Sequence, residues 1–237
     1  MANFNTHFGV GATSSAILSG VLLSMEVLTP MEATIAFGIG TFGSLLPDID
    51  ADNSKSIEIA FTVISLLITI LFVFAKTAEY SIVELLLMSG VIFWTVRFGF
   101  IGVFRKVSRH RGMFHSIPLG LIFGVGTAIL MHTFFGLNSL VSWIYGIAMS
   151  FGYIVHLILD EIYSVDLGNR RVKKSAGTAL KFFTPYQIQN LLIYLTLALL
   201  ILISPDFSLV KERLFSYDAW LNFKYSLLPQ DGKWFFH

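Results

Sequence analysis

Arg109-His110-Arg111-Gly112-Met113-Phe114-His115-Ser116 places two imidazoles, two guanidiniums and a hydroxyl within eight residues. Imidazole binds transition metals, and guanidinium binds phosphate through paired donors. The stretch therefore reads as a metal and phosphate site, or more plainly as a basic loop that anchors a membrane protein. His110 and His115 are five residues apart, which on an unbroken helix separates them by about 140°. Gly112 permits a break between them. His115 is the stronger ligand candidate, because it falls inside the apolar run that follows. Arg111 is placed to contact a substrate phosphate or to stabilise charge developing on it.

Three further places carry similar chemistry. His7 precedes the first apolar run. Pro47-Asp48-Ile49-Asp50-Ala51-Asp52 sets three carboxylates at alternate positions after the second run. Neither a glycine nor a terminal glutamate follows at the spacing of a calcium loop. Asp48 and Asp50 lie nearest the apolar run, so they are the candidates for metal ligand, water-orienting group or general base. His156 and Asp160 are an i, i+4 pair, which puts both on one helix face roughly 6 Å apart. A simple His–Asp hydrogen bond would account for that pair, but ionisable groups inside membrane spans are expensive and usually functional. His132 has no partner nearby and His237 is terminal, so neither joins the set.

With no cysteine in the chain, thiolate zinc sites, disulfides and a cysteine nucleophile are excluded. The remaining donors, His7, Asp48, Asp50, His110, His115, His156 and Asp160, form a nitrogen and oxygen set. Such a set suits zinc first, with manganese or iron(II) compatible. One or two ions with an open position would activate water for attack on an ester or phosphoester.

These residues need elements to hold them. The 237-residue chain is 55% hydrophobic and 13% charged, with a mean hydropathy of +0.74. Soluble domains carry about twice that share of charge. Apolar runs recur at 8–25, 33–47, 57–75, 82–104, 113–135, 139–161 and 187–204. The pattern predicts an all-α, polytopic helical membrane protein of six to seven membrane segments. The run 33–47 is short, so it either spans with local thinning or re-enters. Pro47 is expected to stop it, and Thr29-Pro30 to mark a turn. The first Lys or Arg is Lys55. A basic signal n-region is thus missing, and the first run is expected in the mature protein. Residues 1–185 are expected to form the membrane-embedded functional domain. Residues 186–237 would add a last span and an aromatic tail with Trp220, Trp234, Phe235 and Phe236, suited to the membrane interface.

Orientation follows from the basic residues. With seven spans, the loops sharing the N-terminal side hold ten Lys and Arg, including Arg170, Arg171, Lys173, Lys174 and Lys181, against five on the other side. That side is predicted to be cytoplasmic. His7, Asp48, Asp50, His110, His115, His156 and Asp160 all fall on it. A transporter would set its charges along a path at the midplane instead. A non-catalytic metal-binding or ion-handling membrane protein is the alternative to a hydrolase. A net charge of +1 provides no field to recruit nucleic acid.

The ordered pattern His7, Leu46-Pro47-Asp48-Ile49-Asp50, His110-Arg111-Gly112 with His115-Ser116, and Gly152 with His156 and Asp160 resembles the YdjM family. Those are bacterial inner-membrane proteins labelled as predicted metal-dependent hydrolases and as linked to LexA. The resemblance covers residues 1 to about 185. It implies a multi-pass protein of the bacterial inner membrane, among membrane lipids, with a small-molecule or lipid substrate and a LexA link. The ligand order is also similar to that of zinc-dependent phospholipases C and related single-strand nucleases. That likeness implies His7, Asp48 or Asp50, His110 or His115, and His156 as ligands, with Asp160 bridging two metals. The chain lacks the N-terminal tryptophan ligand of the phospholipases. It also shows no evident third-metal set after Asp160, which makes a two-metal site the safer implication.

Overall fold

The computed structural model describes residues 4–50, 61–62, 65–66, 68–70, 72–74, 76–100, 115–166, 171–172, 180–184 and 186–228. His110, Arg111, Asp52, Arg170, Lys173, Lys174, Trp234, Phe235 and Phe236 lie outside these residues. The chain divides into two compact units, Met1–Leu46 with His115–His237, and Pro47–Phe114.

The first unit is built from helices α1 (Phe4–Ser24), α2 (Pro30–Gly43), α4 (Ile117–Thr133), α5 (Ser139–Ser164), α6 (Gln187–Ile203), α7 (Ser208–Leu214) and α8 (Tyr217–Ser226). Two-residue strands, Val165–Asp166 and Arg171–Val172, pair antiparallel after α5. The second unit holds a 3-10 turn (Pro47–Asp50), helical residues between 61 and 76, and α3 (Ile82–Trp94), which continues as a π-helical turn over Thr95–Phe100.

The all-α architecture expected from the sequence is present. α1, α3 with its continuation to Gly99, and α5 are each long and apolar enough to cross a membrane. The pair α6 and α7, bent by 84°, counts as a fourth if taken as one span. α4, at 17 residues, stands at the lower limit of spanning length. α3 and α6 turn large apolar side chains outward, among them Ile82, Leu86, Ile188, Leu191 and Leu202. An apolar outer surface of that extent belongs in lipid.

Two boundaries differ from the sequence reading. Thr29-Pro30 opens a helix rather than making a loop turn. The Thr29 side chain accepts from the Glu32 backbone, Glu32 reaches back to the Thr29 N–H at 2.8 Å, and Pro30 occupies the first helical position. That is a complete capping box. The helix then ends at Gly43, four residues before Pro47, and Pro47 begins the 3-10 turn.

Small residues set how closely the helices approach. A Cβ at Gly43 would strike the Met149 carbonyl, one at Gly40 would sit 2.6 Å from Ser15 Oγ, and one at Gly146 2.5 Å from the Gly124 carbonyl. α2 and α4 therefore meet α5 backbone to backbone, and α1 meets α2 through the small Ser15 side chain, the packing that lipid favours in the absence of a hydrophobic drive between helices. A core of Leu22, Leu28, Ala36, Met131, Ile144 and Tyr145 fills the end where α1 closes and α5 begins. The opposite end, where α1 begins and α5 closes, holds the polar residues.

Candidate metal centre

Three elements of the first unit converge at that polar end. The first turns of α1 carry His7. The last turns of α5 carry His156 and Asp160, one turn apart. His115 stands just before α4 and not inside it, as the apolar run had suggested. The reason is local. Ser116 has extended backbone (φ −143°, ψ 143°) and Pro118 falls in the first turn, so the helix starts at Ile117. The Ile117 N–H donates to the Lys181 carbonyl at 2.9 Å, which ties this start to the segment leading into α6. His115 gains freedom from helical geometry and turns its ring inward.

The Asp160 carboxylate lies at the centre. Its Oδ1 is 3.4 Å from His7 Nε2, and its Oδ2 is 3.3 Å from His115 Nε2 and 3.5 Å from His156 Nε2. His7 and His156 are fully buried, and the Asp160 side chain is 3% exposed. The His7 and His156 rings stack with centroids 3.7 Å apart, and His115 meets His156 edge-on at 6.0 Å.

A backbone carbonyl fixes the tautomer of His156. Its Nδ1 lies 2.7 Å from the Ser44 oxygen. A carbonyl only accepts, so Nδ1 carries the proton, and the Nε2 of a neutral ring turns its lone pair toward Asp160. A ring nitrogen held by a backbone oxygen while the other faces inward is the usual outer support of a ligating histidine.

Two arrangements could account for this cluster. In a hydrogen-bonded network His7 and His115 would donate Nε2–H to Asp160, and only the His156 contact would call for an imidazolium; charge-assisted contacts contract to about 2.7–2.9 Å. The observed contacts are 3.3–3.5 Å. Donors about 2.0–2.1 Å from a tetrahedral zinc ion are separated by about 3.3–3.4 Å along each tetrahedral edge. The spacing is compatible with donors that share an ion. His7, His156 and Asp160 form a group that could hold a metal ion, with one ligand atom of each within 4.8 Å of the others. His115 reaches the group through Asp160 Oδ2.

The other sequence candidates fall as follows. Asp48 is half-buried in the 3-10 turn of the second unit, four residues after Ser44. Asp50 is the last residue of that turn. His132 lies at the far end of α4, where its Nδ1 donates to the Leu137 carbonyl at 2.8 Å, a helix-end role that supports leaving it out. Ser44 was not a sequence candidate. It contributes a main-chain oxygen, so its side-chain identity carried no signal. The glycines that bring α2 close enough for this contact were the available clue.

The model of the YdjM inner membrane protein family matches the chain over residues 1–204, and the chain belongs to that family. No curated protein and no solved structure matches it.

Proposed function

We propose that this member of the YdjM inner membrane protein family is a metal-dependent hydrolase of a phosphoester or lipid-like substrate. The observation that carries the reading is the approach of three imidazole Nε2 atoms to one buried carboxylate at 3.3–3.5 Å. His7, His115, His156 and Asp160 would hold one or two divalent ions, zinc first by donor type. Asp160 presents one oxygen to His7 and the other to His115 and His156. That orientation suits a bridging carboxylate. A bound ion would supply Lewis acidity, polarising a phosphoryl oxygen and bringing water near neutral pKa.

The chain's own groups then do the rest. His156 keeps its lone pair inward because Ser44 holds its other nitrogen. Asp48, and Asp50 beside it, would complete the ligand set or take a proton from the attacking water. Support for Asp48 comes from the chain itself: three residues separate it from Ser44, whose carbonyl is fixed on His156. Arg111, four residues before His115, would hold the phosphate, and His110 would be a further ligand. The excess of basic residues on the predicted N-terminal side supports a cytoplasmic opening. A LexA link remains an implication of family likeness.

Metal analysis of detergent-purified protein tests the reading. Wild type should retain tightly bound transition metal, and Asp160→Asn and His156→Ala should lose it. Wild type prepared without chelator and found metal-free would end the proposal. The complete burial of His7 and His156 favours a second reading, a closed structural ion site. Turnover of phosphodiester or phospholipid substrates by the metal-loaded protein separates the two.

A further inference from the structure

A groove of about 400 Å³ runs between α4 and α5, lined by Leu121 and Val125 on one side and Trp143, Ile147, Phe151 and Ile154 on the other. Residues 143, 147, 151 and 154 repeat at three to four positions, so they form one stripe of α5 about 16 Å long. The lining offers almost no hydrogen bonds. Ser150 Oγ is committed to the Gly120 carbonyl at 3.1 Å, and Trp143 Nε1 to the Pro205 carbonyl at 2.8 Å. The Phe207 ring sits edge-on to Trp143 at 4.9 Å and lines the end away from the metal cluster.

The other end approaches the level of the cluster. Ile154 precedes Asp160 by six residues, about 9 Å along the helix axis. Groove and cluster lie on different sides of α5, and the start of α4 carries a residue near each, Leu121 at the groove and His115 at the cluster. There His115 keeps 14% of its side chain exposed while its Nε2 faces Asp160. The neighbouring segment marks the depth. Lys181 bridges to Ser116, and Phe182, Phe183 and Tyr186 beside it are exposed aromatics. Such residues favour the headgroup level of a bilayer.

We propose that the groove holds the hydrocarbon chain of an amphiphilic substrate whose anionic head reaches the metal cluster past His115. The proposal rests on the hydrolase reading for the head, while the chain site stands on the groove alone. A single chain of about a dozen methylenes matches the length of the stripe.

The test uses full-length protein in nanodiscs, with Trp94→Phe, Trp220→Phe and Trp234→Phe leaving Trp143 as the lone tryptophan. The probe is hexadecyl phosphate brominated in mid-chain. Trp143 fluorescence should be quenched saturably, and unlabelled hexadecyl phosphate should reverse it where butyl phosphate does not. Leu121→Phe with Ile154→Phe narrows the mouth and should raise the half-saturating concentration about ten-fold while bound zinc is unchanged. Asp160→Asn should weaken hexadecyl phosphate but leave brominated hexadecanol unaffected. Quenching that is linear in probe and equal to that from brominated phosphatidylcholine would overturn the proposal, as would a mouth variant that binds like wild type. A metal-free wild type that still shows saturable quenching would remove the hydrolase reading and leave the chain site standing.

Discussion

Replacing Gly152 by alanine adds one methyl group where α5 meets α2, one turn before His156. A Cβ there would stand 2.9 Å from both the Gly40 carbonyl carbon and the Ser44 nitrogen, and closer still to the Gly40 oxygen. Carbon atoms in contact need about 3.5 Å, so the two backbones must part by at least about 0.6 Å. The partner atoms are main chain and cannot rotate away. Ser44 is itself displaced, and its carbonyl is the acceptor for His156 Nδ1 at 2.7 Å. Adding the shift takes that contact to about 3.3 Å or more, past the useful range of an N–H···O bond. Loss of such an outer-shell partner weakens metal binding by about 10- to 100-fold. The strain itself should cost about 1–3 kcal/mol of stability. Zinc affinity is measured by competition with a chromogenic chelator on detergent-purified protein, and stability by thermal unfolding of the metal-free forms. Gly38→Ala is the control, since a Cβ at Gly38 meets nothing within 4 Å. A Gly152→Ala protein that folds and binds zinc as tightly as wild type would refute the coupling between the α2–α5 seam and His156.

Removing metal from the wild type with a chelator should lower its melting temperature, by an amount equivalent to about 4 kcal/mol where free zinc had stood about a thousandfold above Kd. Asp160→Asn should show no chelator response. Thr29→Ala removes the capping box of α2 and should cost about 1 kcal/mol, seen as a lower unfolding midpoint with unchanged zinc content. His132→Ala loses one bond, to the Leu137 carbonyl, and should cost about 1 kcal/mol without loss of metal.

Side-chain identity and spacing made part of the centre legible before any coordinates. His156 and Asp160 share a face because four residues make about one helical turn, and chain parity put His7 and His115 at the same end. The misplacement of His115 shows the limit of reading by apolarity. Met113 and Phe114 extend the apolar run, but Ser116 and Pro118 decide where the helix starts. Thr29-Pro30 failed for a related reason: proline after threonine suits a turn and a helix start equally, and Glu32 three residues on was the deciding signal. The stacking of His7 on His156 and the Ser44 contact depend on interhelical distance, which a one-dimensional pattern does not encode. Assignments resting on His110, Arg111 and the basic loop at 170–174 stay with the sequence, apart from the paired backbone of Arg171 and Val172.

The glycines and the histidines belong to one design problem. Two buried imidazoles, a partly exposed third and a buried carboxylate at the end of a helix bundle need outer partners to hold their tautomers, and side chains long enough to serve would add further polar groups to bury. A backbone carbonyl does the work without adding one, provided a second helix comes close enough. Gly40, Gly43 and Gly152 give that closeness, because a methyl group at any of them would meet Ser15, Met149 or Gly40. Ser44 then delivers its oxygen where the helical bonds of α2 run out, since the last carbonyls of a helix have no partner within it. The pairing explains why α2 is only 14 residues long yet central to the site. Its end, more than its length, positions the chemistry. Extending α2 far enough for the Asp48 N–H to reach the Ser44 carbonyl would engage that oxygen within the helix. His156 would then lose its acceptor while the side chains of His7, His115, His156 and Asp160 were unchanged.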